Sequence, residues 1–140
     1  MAILLGKKRV LDTKEYNDYA IGITLPLQIG NTAFNQSFTT KEQVSSNIKN
    51  LLLTKKGERL LQPNFGSGLQ ELLFDFNDDR LAIKIEEIIT ESITNWLPYV
   101  DIRQIDVAQS NENKDRNQVE ISITFGVANT PDLNQVTFTV

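Results

Sequence analysis

Between Val119 and Val127 the chain alternates without a break: Val119, Ile121, Ile123, Phe125 and Val127 are apolar, and Glu120, Ser122, Thr124 and Gly126 are not. A period of two belongs to a strand, whose side chains leave its two faces in turn, so this stretch has one dry face and one wet one. A chain that contains it must build a sheet and cover one side of that sheet. The stretches "DIRQIDVA" (101–108) and "QVTFTV" (135–140) carry weaker versions of the pattern, set off by the polar turns "QSNENKDRNQ" and "NTPDLN". The step from Ile102 to Ile105 breaks the alternation, which predicts a bulge.

The cover for that face comes from helices earlier in the chain. In "TTKEQV" Thr40 is placed to cap a first turn with Gln43 reaching back, and Val44, Ile48, Leu51 and Leu52 then recur at helical intervals on one side. Lys55 and Lys56 suit the negative end of the helix dipole, and Gly57 suits a left-handed terminus. A second helix is expected from Asp78 or Asp79, with Leu81, Ile85, Ile88, Ile89 and Trp96 toward one side and Pro98 as its stop. Residues 1–38 have weak periodicity. There "IGITLPLQI" (21–29) reads as extended and "GNTAFNQSF" (30–38) as loop, an N-terminal arm that leans on another body. The expected fold is α+β: an antiparallel three- to four-stranded sheet packed on one side by two main helices, with an extended arm over 1–38 and a single domain over 39–140.

Composition narrows the chemistry. The chain has no cysteine and no histidine, which excludes disulfides, thiolate catalysis, cysteine or imidazole metal sites and serine–histidine triads. Its net charge of −4 recommends neither nucleic acid nor an anionic membrane surface. The opening "MAILLGKKRVLDTK" puts its apolar run before its charges, the reverse of a secretory signal, and no run approaches the roughly 18 apolar residues of a membrane span. A cytosolic setting is expected, with no cofactor and no metal.

The stretch "KKGERLLQPNFGSGLQELLFD" (55–75) resists these simple readings. A phosphate cradle needs glycines between a strand and a helix, with a lysine or hydroxyl at fixed spacing, and "GSG" has neither. Glycoside hydrolysis needs two carboxylates across a cleft; Glu58, Glu71 and Asp75 supply the residue type but no constellation. A shaped joint explains every residue type. Gly57 and Gly66 or Gly68 permit turns, Pro63 and Phe65 stiffen and plug them, and Leu69, Leu72, Leu73 and Phe74 run on into the core.

The same residues carry a resemblance. The motif T-x-x-G-E-R-x-x-x-P-x-F-G-x-G-L (Thr54, Gly57, Glu58, Arg59, Pro63, Phe65, Gly66, Gly68, Leu69), then a helix, a Trp-Leu-Pro turn and three strands, resembles the gene W-like baseplate wedge family of contractile-tailed bacteriophages over about residues 20–140. Relatives of that fold serve in type VI secretion, contractile bacteriocins and injection machines. The resemblance implies a non-catalytic structural subunit, six copies per baseplate and monomeric when isolated. It would bind a helical bundle of larger wedge proteins and template the first ring of tail sheath protein by strand addition, in the virion after assembly in the host cytoplasm.

The family often carries Glu-Pro-Arg after its long helix, where this chain has Leu97, Pro98 and Tyr99. Trp96 and Tyr99 are therefore either an aromatic anchor for a partner or core at a helix end. Glu58 and Arg59 are either a buried structural pair or an exposed contact. Gln135, Val136, Thr137, Phe138, Thr139 and Val140 form a last strand whose edge, or that of its neighbour at 117–128, is the expected sheath contact. A regulatory anti-adaptor module sharing this fold and a carboxylate-dependent peptidoglycan hydrolase are the alternatives.

Overall fold

A computed structural model describes residues 19–27, 35–73, 80–108, 118–128 and 132–140. Two short strands, β1 (Gly22–Ile23) and β2 (Gln36–Ser37), precede α1 (Thr40–Leu53), the short α2 (Leu69–Leu73) and α3 (Leu81–Trp96). The chain then forms β3 (Val100–Ala108), β4 (Glu120–Val127) and β5 (Leu133–Thr139). The alternating segment is β4, the central strand of an antiparallel sheet ordered β3-β4-β5, while β1 and β2 pair as a separate antiparallel ribbon. Its position between two strands leaves 120–127 no free edge, so of the two edges expected for strand addition the one on 135–140 is the edge that no strand covers among the described residues.

Val119, Ile121, Ile123, Phe125 and Val127 are buried, as the period of two requires, and the helices lie against them. The inward stripes are Val44, Ile48, Leu51 and Leu52 on α1 and Ile85, Ile89 and Ile93 on α3. The ladder between β3 and β4 shifts register between Ile102 and Gln104. That bulge returns Ile102 and Ile105 to one side of the sheet, where both pack against the core.

Local chemistry differs from expectation at the start of α1. Thr39, not Thr40, is the cap: its hydroxyl accepts from the Glu42 amide at 3.3 Å, and the Glu42 carboxylate accepts from the Thr39 amide at 3.4 Å. The two possible pairs have the same spacing, but Glu42 also brings a negative charge to the positive end of the helix. Gln43 instead accepts from the Ser37 hydroxyl and donates to Asn47, which ties β2 to α1. Just past β1, the Leu25 amide donates to Ser46 of α1 at 3.2 Å. Residues 21–25 and 35–38 therefore pack on α1, and the part of 30–38 read as loop contains a strand.

The far end of α1 also differs. It stops at Leu53, capped by an extended Thr54, rather than running to Lys55 and Lys56. Gly57 does adopt the left-handed region, with φ of 87°, but in a turn beyond the helix. The next helix takes Arg80 as its N-cap, with no side-chain cap bond, rather than Asp78 or Asp79; those two, Phe74 and Asp75 lie outside the described residues. Leu97 closes α3 through a bond to the Ile93 carbonyl, and Pro98 follows as the expected stop.

Candidate functional site

Residues 54–68 fold back on the end of α1. The Gly57 amide donates to the Pro63 carbonyl at 2.7 Å, the Phe65 amide to Gln62 at 3.0 Å and the Ser67 amide to Thr54 at 2.9 Å. Buried Ser67 closes the fold by donating its hydroxyl to the Leu52 carbonyl at 2.6 Å. Gly66 sits where this clamp is tightest: its φ is 118°, and a Cβ there would stand 2.4 Å from the Thr54 carbonyl oxygen. Gly68 has ordinary backbone and room beside Ile88, so of the two glycines Gly66 is the one the turn requires.

This rigid turn presents side chains to the outside. Glu58 and Arg59 face different partners. The exposed Glu58 carboxylate accepts from the Lys55 amide at 3.0 Å, while the half-buried Arg59 donates to Asn50 at 3.2 Å and lies over the Phe65 ring, 3.8 Å from its centroid. Phe65 in turn meets Trp96 edge-on, with centroids 5.1 Å apart. Trp96 is therefore a half-open aromatic at the end of α3, 36% exposed, and joins Arg59 and Phe65 in one row of contacts. Tyr99 departs from this group: its hydroxyl bonds Asn47 of α1 at 3.2 Å, and its carbonyl accepts from the Ala128 amide.

Two residues of this turn escape pattern reading. Leu60 and Leu61 are 99% and 96% exposed. In sequence they look like core, since Leu is usually buried; the hint is that they fall between two charged residues, Glu58 and Arg59, and Pro63, inside a turn. The carboxylates weighed for hydrolysis form no dyad among the described residues: Glu58 binds a backbone amide, and Glu71 lies 3.9 Å from the Lys55 ammonium in solvent. Among the described residues no group of three or more acidic side chains could hold a metal ion, and no helix is long and apolar enough to cross a membrane.

The second surface is the outer edge of β5. Val140 and Val119 bond each other in both directions, and the register pairs Phe138 with Ile121, Val136 with Ile123 and Asn134 with Phe125. Bonding alternates along an antiparallel ladder, so the amides of residues 134, 136, 138 and 140 point at β4 and those of Leu133, Gln135, Thr137 and Thr139 point away from the sheet. The opposite edge, β3, is guarded by its bulge and by Asp101, Arg103 and Asp106. The sequence of β5, "LNQVTFT", contains no charge, no proline and no bulge. Behind that edge, between α1 and the sheet, a groove of about 430 Å³ opens beside Leu25, Pro26, Lys49, Leu53 and Phe138.

Known proteins share this fold. In solved structures the fold is similar to a crystal structure from Geobacter sulfurreducens that carries a provisional tail-lysozyme label (22% identity, TM-score 0.64, 73% of this chain and 90% of that one). It is similar as well to a chain of the anti-feeding prophage baseplate, determined by cryo-EM (23% identity, TM-score 0.62, 79% and 86% covered). A third likeness is to a chain of the type VI secretion baseplate complex (13% identity, TM-score 0.51, 70% and 89% covered). At such identities these are likenesses of fold. No curated protein matches the chain. Residues 39–132 match the family described as Baseplate wedge protein gp25; that span holds the 54–68 turn, the three helices and strands β3 and β4, and ends just before β5. The chain belongs to the baseplate wedge protein gp25 family, components of contractile-tail baseplates.

Proposed function

We propose that this chain is a non-catalytic subunit of the baseplate wedge that grips a helical bundle of the larger wedge proteins through its 54–68 turn and starts the first ring of sheath by strand addition at β5. The observation that supports this reading is the outer edge of β5, which no strand covers among the described residues. Four amides of β5 point outward in a strand without charge or proline, and an extended segment is the partner that satisfies such a row. On the wedge side, Leu60 and Leu61 stand fully exposed on a turn already fixed by hydrogen bonds, beside the Arg59, Phe65 and Trp96 row. Apolar and aromatic side chains on a rigid support suit a helical groove, because little entropy is lost on docking. Six copies per baseplate, in the virion after assembly in the host cytoplasm, complete the reading.

Thr137→Pro tests the sheath half, since it removes one outward donor and no ladder bond. We expect the variant to fold and enter wedges while sheath fails to polymerise on the baseplate. Normal sheathed tails in electron micrographs would move the contact to the N-terminal arm or to the Trp96–Tyr99 turn.

A hydrolase is the second reading, prompted by the tail-lysozyme label of one similar structure. Clearing of a cell-wall suspension by the purified chain, lost in Glu58→Gln or Glu71→Gln, would establish it in place of a purely structural role.

A further inference from the structure

The groove behind β5 has a chemical character of its own. In an antiparallel pair, residues directly opposite each other point to the same face. A strand laid along β5 therefore sends the side chains opposite Val136 and Phe138 inward, to the side of the sheet covered by α1. The 430 Å³ groove lies there, with Phe138 and the backbone of Thr137 on one wall and Leu53 and Lys49 of α1 on the other. Leu25 and Pro26 also line it, and Leu53 is 39% exposed. An added strand would find an apolar lining already formed at the places its inward side chains must go.

Lys49 and Leu53 are four residues apart on α1, so they share a face with a rise of about 6 Å between them. Successive inward side chains of a strand, two residues apart, are separated by about 6.6 Å. The two spacings are close enough for neighbouring inward side chains to meet Leu53 and Lys49 in turn. Glu58 also lines the groove and keeps its negative charge while accepting from the Lys55 amide; Lys49 is the cation of the lining, and it is the group that an acidic side chain would meet.

We propose that the groove selects the incoming strand by its side chains: the occupant is a sheath strand with an apolar residue that seats against Leu53 and, two positions away, an acidic residue that meets Lys49. The inference rests on strand addition at β5 and names what that strand must carry. Backbone pairing alone accepts any sequence, so an edge that must admit sheath and refuse other extended chains needs a reader of this kind.

The test uses the full chain in its own contractile particles. A photocrosslinking residue at position 53 is expected to join this chain to sheath protein in assembled tails. A product linking two copies of this chain, or a link within one copy, overturns the assignment. Leu53→Glu and Lys49→Glu are each expected to lower the sheathed fraction of tails at least tenfold, with the melting temperature and wedge incorporation close to wild type. If Leu53→Glu melts early, Leu53→Gln replaces it. Wild-type sheathing in either variant while Thr137→Pro is blocked removes the groove's selectivity and leaves strand addition standing. Wild-type sheathing in all three removes both.

Discussion

Val119 and Val140 exchange both of their backbone hydrogen bonds, each 3.0 Å long. This pair sets the phase of the whole ladder, and with it which amides of β5 are free. Proline should read that phase directly. We expect Phe138→Pro to destabilise the fold by ~3 kcal/mol or more, through a lost ladder bond and a lost buried ring, and Thr137→Pro by far less. Urea denaturation of the two purified variants checks this. Equal destabilisation would mean that the phase assigned to β5 is wrong.

Gly66 and Gly68 look interchangeable in the motif but differ in the backbone. Gly66→Ala forces a left-handed residue against the Thr54 carbonyl and should cost more than about 1 kcal/mol, whereas Gly68→Ala should be nearly neutral. Thermal melts of both variants suffice. A melting temperature unchanged by Gly66→Ala would show that the turn relaxes.

Arg59 lies over the Phe65 ring, while the Glu58 carboxylate turns to the Lys55 amide. A double-mutant cycle between Arg59→Gln and Phe65→Leu should therefore give a coupling of about 0.5–1 kcal/mol, and one between Glu58→Gln and Arg59→Gln should give a coupling near zero. The reverse order would restore the Glu58–Arg59 pair as the structural unit.

At the start of α1, Thr39→Ala should cost about 1 kcal/mol, because the Thr39 hydroxyl accepts the Glu42 amide of the first turn and sits at the N-cap, and Thr40→Ala, one position inside the helix, should cost less. Comparing the two unfolding midpoints separates the caps, and a larger loss at Thr40 would return the cap to the position the sequence first suggests.

Periodicity is a local property, and what it implies needs no partner: the dry face of β4, the inward stripes of α1 and α3, the bulge after Ile102 and the stop at Pro98 all follow from the order of residues along one element. The glycine-rich motif likewise announces a joint, because few residue types tolerate such turns. Other features depend on where distant segments meet. Thr39 and Thr40 offer the same spacing, so the choice between them falls to Glu42 and to the engagement of Gln43 with β2. Whether Arg59 turns to Glu58 or to Phe65, and whether Leu60 and Leu61 are core or surface, depends on how 54–68 folds against α1, which no periodicity encodes. The free edge is decided last of all. Strand order and hydrogen-bond phase are relations between strands, so the sequence alone determined that three strands and two helices share a core, and only the tertiary structure decided that β5 and its outward amides stand at the open side.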